Sequence, residues 1–301
     1  MKVFVTGGSG FIGIPLVRHL LEKGHQVKML DLKEPAIKHK NLEFVNKSVM
    51  DELAEDIKGC DLVLHLAAIL GVINSDNKPL ETMRINLEGS VNVFKSAIEA
   101  DVKHMVYASS SEVYGEPREL PIREDSVTGP VSTYGVSKLA AEIYAKAHNH
   151  EFDADIKIVR FFNVYGQGQS DNFVVPIFLN NALANKPIQV FGNGNQTRCF
   201  TYVEDAVEGL LKVVEKGKTG EAYNIGNNQP TTMLELAKLI KEITGSSSEI
   251  IKAGFGKDTR LKEREIEYRV PDISKIESLG WKPTTMVREG IKKILELRTK
   301  N

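Results

Sequence analysis

A strand-like run at Lys2 to Val5 breaks into Thr6-Gly7-Gly8-Ser9-Gly10-Phe11-Ile12-Gly13, and an amphipathic pattern of Phe11, Ile12, Leu16, Val17, Leu20 and Leu21 begins at once behind it. Gly7, Gly10 and Gly13 recur at three-residue spacing between the two. A strand that reaches a helix through glycines can turn tightly and let its backbone approach a ligand closely. At that point the free N–H groups and positive dipole end of the helix attract a phosphate. The chain is therefore constrained, from its first residues, toward a parallel sheet with a dinucleotide pyrophosphate on its first turn.

The rest of the first half agrees. Apolar runs of strand length fall at Gln26–Leu30, Leu42–Val45, Asp61–His65, His104–Ala108 and Ile156–Arg160, with helical spacing between them, as at Leu87, Val91, Val93, Phe94 and Ile98. This predicts an α/β architecture: a Rossmann-type doubly wound parallel sheet with crossover helices on both faces. After about residue 165 Gly166, Gly168, Pro176, Pro187, Gly192 and Gly194 punctuate shorter segments, and helices return near Asp205–Lys216, Met233–Thr244 and Thr285–Arg298. The expected organisation is a dinucleotide-binding domain over 1–165 and a smaller mixed α/β substrate lobe over 166–301, with interleaved boundaries. A length of 301 residues accommodates that pair.

Several partner classes are disfavoured. With 39 Lys+Arg against 40 Asp+Glu and a formal charge of −1, the chain lacks the basic excess that nucleic-acid binding needs. Its longest uncharged stretches, Leu62–Ser75 and Asn172–Asn185, are shorter than the roughly 18 apolar residues of a membrane span. The opening Met-Lys-Val-Phe-Val-Thr has no secretory pattern, and two cysteines, Cys60 and Cys199, offer neither a disulfide framework nor metal-ligand spacing. A soluble cytoplasmic protein without a metal is expected.

Three further features carry chemistry. Asp31 closes the second strand at the distance from the glycine turn where a carboxylate accepts ribose hydroxyls, and it would repel a 2′-phosphate, favouring NAD over NADP. Among eight tyrosines only Tyr134 has a lysine four residues on, Lys138, which on a helix shares its face. An ammonium beside a phenol favours the phenolate, which can take a hydroxyl proton while hydride leaves the same carbon. The fifth strand runs into Ser109-Ser110-Ser111-Glu112-Val113-Tyr114-Gly115, placing small hydroxyls at the carboxyl end of a central strand, where open α/β sheets bind ligands.

With these motifs the sequence resembles the extended short-chain dehydrogenase/reductase family, in its NAD-dependent branch of nucleotide-sugar epimerases, dehydratases and decarboxylases. The resemblance runs through Gly7-x-x-Gly10-x-x-Gly13, His65-Leu66-Ala67-Ala68, Ser109 to Gly115, Tyr134-x-x-x-Lys138, Arg160-Phe161-Phe162-Asn163-Val164-Tyr165-Gly166, Gly192-x-Gly194-x-Gln196-x-Arg198, Tyr202-Val203-x-Asp205 and Gly280-Trp281-x-Pro283. It implies Ser110 and Tyr134 as the proton-handling pair and Lys138 as their partner and a ribose ligand. NAD contacts fall on Gly7, Gly10, Phe11, Ile12, Gly13, Asp31, Leu66, Ala67 and Ala68. The diphosphate of a nucleotide sugar, most often a UDP-sugar, falls on Asn163, Arg198 and Arg264; Val174, Gln189, Val190 and Phe191 line the rest of it. Ser48 stands where many relatives have Asp for the adenine, with Asp51 as a substitute, and Cys199 stands where Asp is usual. His65 is implied to be structural.

The shared first step is oxidation at sugar carbon 4, and the fate of the resulting ketone separates the members of the branch. A 4-epimerase of UDP-hexose or UDP-hexosamine is the leading expectation. Glu112 keeps a glucuronate decarboxylase or a dehydratase open, although Ser111 replaces the Asp of deoxysugar dehydratases and Leu70-Gly71-Val72-Ile73 looks like the epimerases' substrate loop. A non-catalytic NAD-binding scaffold would have lost the Tyr-Lys pair. Apolar residues on several faces of 81–100 and 136–150, with family precedent, imply a homodimer.

Overall fold

Successive residues of a strand point to opposite faces, and the first strand shows what each face meets. Val3 and Val5 pack with Leu16, Val17, Leu20 and Leu21 of the helix Gly13–Glu22, and with Ala206, Val207, Leu210 and Val213 of the helix Val203–Lys216. Phe4, between them, packs with Val93, Phe94 and Ala97 of Gly89–Glu99 and with Ala141 and Ala145 of Thr133–Phe152. A strand buried on both faces belongs to the centre of a parallel sheet covered by helices.

The structure is a computed structural model and describes residues 1–70, 75, 77–254 and 266–299. Strands β1 (Lys2–Thr6), β2 (Gln26–Asp31), β3 (Leu42–Asn46), β4 (Leu62–His65), β5 (His104–Ser110) and β6 (Asp155–Phe161) match the six expected runs to within two residues at either end. A further strand pair joins β7 (Val164–Tyr165) to β10 (Thr201–Tyr202). The main sheet has a seventh strand the sequence pattern did not reveal, β11 (Ala222–Ile225), contributed from beyond residue 166 and paired in parallel with β6. Its four residues, Ala-Tyr-Asn-Ile, carry too little pattern to separate a short strand from other buried segments.

The sheet order is β11-β6-β5-β4-β1-β2-β3. The chain runs outward from β1 in both directions, so the connections diverge between β1 and β4, opening a crevice at their carboxyl ends. The remaining strands form small sheets: β8 (Ile188–Phe191) with β13 (Ile250–Ala253), and β9 (Thr197–Cys199) between β12 (Pro230–Thr232) and β14 (Tyr268–Arg269). Ile188 and Val190 of β8, with Ile250 of β13 at the edge, share a separate core with Val175, Phe178 and Leu179 of Val174–Leu183 and Leu236, Ala237 and Ile240 of Met233–Thr244. Among the described residues no helix is long and apolar enough to cross a membrane.

Candidate active site

At the first turn Gly7 adopts φ +73°, and a Cβ on Gly13 would lie 2.1 Å from the Gly7 carbonyl oxygen. Only glycines let the loop fold this close to the helix it feeds. The helix Gly13–Glu22 starts at Ile12 with no side-chain cap; the Ile14 N–H is taken by the Gly10 carbonyl at 3.0 Å and Pro15 has none, so the N–H groups the turn can offer a phosphate are those of Phe11, Ile12 and Gly13, and Phe11 and Ile12 are half-buried there. Across the crevice Leu66, Ala67 and Ala68 follow β4; a Cβ on Gly7 would come 2.7 Å from the Ala67 nitrogen, so the two loops are in contact. Asp31 accepts the Ser9 N–H through Oδ2 and the Lys33 N–H through Oδ1, both at 3.0 Å, which fixes its carboxylate at the end of β2. These features fit a dinucleotide: the backbone N–H groups of the turn at Phe11, Ile12 and Gly13 for a pyrophosphate, an oriented carboxylate for ribose hydroxyls, and close backbone approach between. Asp51, the alternative adenine ligand, uses Oδ2 to accept the Ser48 N–H at 2.7 Å.

His65 lies behind this turn. Ser90 Oγ donates its proton to the Asn86 carbonyl and so accepts from His65 Nε2–H, which leaves the neutral ring's Nδ1 to accept the Thr6 hydroxyl proton, 2.6 Å away. His65 Nε2 then carries the ring proton and donates to Ser90 Oγ at 2.9 Å. Complete burial holds the ring neutral and pushes its pKa down to about 3, with the nearby Lys138 charge adding to the effect. A neutral ring with both nitrogens engaged is a strut, as the resemblance implied.

The reacting groups come from β5 and the helix Thr133–Phe152. Ser132 caps that helix by accepting the Gly135 N–H at 3.1 Å. Gly135 also removes an obstacle, since a Cβ there would meet the Glu112 carbonyl oxygen at 2.7 Å and Pro130 at 2.8 Å. The helix can thus press its first turn against the turn Ser111–Tyr114, bringing Tyr134 to Ser110. The Ser110 side chain accepts the Glu112 N–H at 3.2 Å and also favours the ionised form of Tyr134 by hydrogen bonding. Burial acts against it and raises the Tyr134 pKa. Lys138 is fully buried one helical turn on, its Nζ donating to the Ala108 carbonyl at 2.8 Å and lying 5.9 Å from the Tyr134 ring centroid. It also sits 4.9 Å over the Tyr107 ring. Desolvation brings the Lys138 pKa down to about 7, opposed by the nearby Glu142 charge.

The second lobe contributes arginines. Arg198 on β9 and Arg269 on β14 are register partners in a parallel pair, which puts them on one face of the ribbon. They are 6% and 4% exposed. Arg198 donates to the Thr197 carbonyl at 2.9 Å, and Arg269 Nη1 donates to Glu112 Oε1 at 2.6 Å. Buried polar atoms without a protein partner occur at Asn163 Oδ1, Gln196 Oε1 and Arg269 Nε, all groups that a polar ligand could satisfy. Asn163 itself has φ +37° at the junction of β6 and β7. Val174 is half-buried at the head of its helix; along β8 Gln189 is exposed, Phe191 half-buried, and Val190 buried at 1% exposure, its side chain in the lobe core. Arg264 and residues 71–73 of the expected substrate loop lie outside the described residues. Cys199 is buried and its thiol is pushed up to about 12 by desolvation, which leaves it inert. Among the described residues no three His, Cys, Asp or Glu side chains gather as a metal site.

Three groups are not apparent from the sequence motifs. Arg269 lies five residues beyond the arginine singled out there, in a stretch whose register the spacing did not fix. Asn86, in the π-helical turn Arg84–Glu88, bonds Ile69 through N–H and C=O at 2.8 and 3.1 Å and Ser137 at 3.1 Å, tying the loop after β4 to the Tyr134 helix. Glu142 extends the spacing of Tyr134 and Lys138 by one more helical turn, a signal present in the sequence.

Comparison with known proteins agrees with this assembly. Residues 3–226 match the model of the NAD dependent epimerase/dehydratase family. A UDP-N-acetyl-alpha-D-glucosaminuronate decarboxylase of Bacillus cytotoxicus is 33% identical over 98% of this chain and 97% of its own. The crystal structure of Thermotoga maritima UDP-glucose 4-epimerase with UDP-glucose has a TM-score of 0.92 at 32% identity, covering 100% of this chain and 99% of that one. A dTDP-glucose 4,6-dehydratase from Streptomyces venezuelae, solved with NAD bound, has a TM-score of 0.92 at 28% identity, covering 100% and 98%. The fold and a family model matching most of the chain agree, and the protein belongs to the NAD-dependent epimerase/dehydratase family.

Proposed function

We propose that the enzyme is a 4-epimerase of a UDP-hexose or UDP-hexosamine, working through a transient 4-keto sugar. The observation that carries this reading is the gathering of Ser110, Tyr134 and Lys138 at the crevice while Glu112, the one further carboxylate at the strand end, is engaged by Arg269. Tyr134 takes the proton of the sugar 4-hydroxyl, with Ser110 holding that oxygen. The Lys138 ammonium stabilises the phenolate that does so. NAD, when bound by the Gly7–Gly13 turn and Asp31, supplies the hydride acceptor at the start and the donor at the end. The ketone, turned to its other face, receives hydride at carbon 4 and its proton back from Tyr134. No net oxidation occurs, because the proton and hydride removed from one face are both returned on the other. Asn163, Arg198 and Arg269 hold the diphosphate, and the β8 edge borders the nucleoside.

Dehydration across carbons 5 and 6 needs a base free to reach carbon 5. Glu112 is held by Arg269 at 2.6 Å and would have to be released to serve as that base, so this reaction is the less favoured reading. The same pair supports one second reading. A substrate carboxylate could exchange with Glu112 on Arg269, which suits a hexuronate that loses carbon dioxide once carbon 4 is a ketone.

Purified protein incubated with a panel of nucleotide sugars and no added NAD, followed by NMR of the anomeric proton, separates the outcomes. A 4-epimer is expected. A pentose from UDP-glucuronate would establish the second reading, and a 4-keto-6-deoxy product would overturn both. We also propose a homodimer through the outer face of Thr133–Phe152, where Val136 and Ile143 are exposed. A light-scattering mass of 33.4 kDa at micromolar concentration would contradict it.

A further inference from the structure

Ser110 and Tyr134 sit on different elements, the end of β5 and the first turn of a helix, so their separation depends on how strand and helix are joined. Two buried polar contacts join them near the site. One is the Lys138 bond to the Ala108 carbonyl. The other is a bond from the Ser109 hydroxyl to Glu142 Oε1, immediately beside Ser110. Glu142 is 1% exposed and lies on the helix face of Tyr134 and Lys138. Ser109 shares the strand face of Met105 and Tyr107, which packs against that helix.

Glu142 is itself held from β6. Arg160 donates through Nε to Oε1 at 3.0 Å and through Nη2 to Oε2 at 2.6 Å. Arg160 Nη1 reaches on to the Tyr114 hydroxyl at 2.7 Å, and that hydroxyl donates to Asn224 Oδ1 on β11 at 2.7 Å. The network therefore links both sides of Ser110, the strand before it and the turn after it, to the Tyr134 helix. As a stabiliser it is inefficient, since a buried ion pair often does no better than apolar side chains of similar volume. What it supplies is direction, because a carboxylate clamped by a planar guanidinium offers Ser109 one fixed acceptor.

We propose that Glu142, acting through Ser109, is a positioning residue that sets Ser110 against Tyr134. This rests on the reading of Ser110 and Tyr134 as the pair that handles the substrate proton. A displacement of about 1 Å in a reacting group can cost about 10²-fold in rate, so a loosened clamp belongs to the chemical step and not to binding.

Ser109→Ala removes the clamp and leaves the Glu142–Arg160 pair in place; Ser109→Thr restores the hydroxyl. In NAD-loaded protein mixed with nucleotide sugar, the single-turnover rise in reduced-nicotinamide absorbance should slow by about tenfold or more in Ser109→Ala, with sugar-nucleotide affinity unchanged, and recover in Ser109→Thr. In substrate-free protein labelled with ¹³C-tyrosine, the Cζ resonance of Tyr134 should move in Ser109→Ala and return in Ser109→Thr. An unchanged rate and resonance in Ser109→Ala would overturn the proposal. If Ser109→Ala does not fold, Ser109→Cys, a weaker donor, is read the same way. If the parent protein shows no nicotinamide reduction with any nucleotide sugar, the reaction assignment fails, while the Tyr134 resonance still decides the positioning role.

Discussion

Around the first glycine turn the protein presents closely folded backbone, whereas on β9 and β14 it presents guanidinium groups. The first region consists of a tightly folded glycine turn, a fixed carboxylate and a neutral histidine strut. The second is a pair of buried arginines brought side by side from positions 198 and 269. A backbone site depends on where side chains are missing, so spacing of glycines reveals it. A side-chain site depends on strand register, which no short spacing records.

The largest test falls between the two regions. Tyr134→Phe should lower turnover by about 10²-fold or more while bound NAD, assayed after denaturation, stays at the parent level. Unchanged turnover would reject Tyr134 as the proton acceptor. Each side of the crevice can then be weakened alone. Arg198→Ala should weaken UDP binding by about 10–100-fold and leave NAD untouched, since a charge-assisted bond is worth about 1.5–3 kcal/mol. Calorimetry with UDP reads this directly, and an equal loss for both ligands would erase the distinction between the regions. Gly13→Ala should do the converse, because its Cβ would sit 2.1 Å from the Gly7 oxygen. At about 1–3 kcal/mol of crowding, NAD affinity should drop roughly tenfold or more with UDP affinity retained. Full NAD affinity would mean that the turn does not carry the pyrophosphate.

The smallest effect is one of pH. The folded pKa of His65 is about 3 against 6.5 for the free side chain, so between these values the unfolded chain binds a proton that the native protein does not. Stability from this group is complete above pH 6.5 and declines as pH falls toward 3. Melting temperature should therefore fall less steeply over that interval in His65→Gln than in the parent. Parallel slopes would show that the strut is not held neutral.

Six strands, their crossover helices and the glycine turn were legible because each rests on local pattern: alternation, helical spacing, or glycines at fixed intervals. Ala222–Ile225 was not, being a short run whose place beside β6 is fixed by long-range pairing. Arg269 was missed for a related reason. Its importance comes from standing beside Arg198 and against Glu112, 157 positions away in the chain.

The sequence by itself determined six strands of the main sheet, the glycine turn and the placing of Lys138 one helical turn beyond Tyr134, because short-range pattern specifies them. Tertiary structure alone decided that Glu112 is engaged by Arg269, that His65 is a neutral strut, and that Ser109 is clamped by Glu142. The physical reason is that burial and partner choice set what an ionisable side chain can do, and both depend on residues far along the chain that folding brings together.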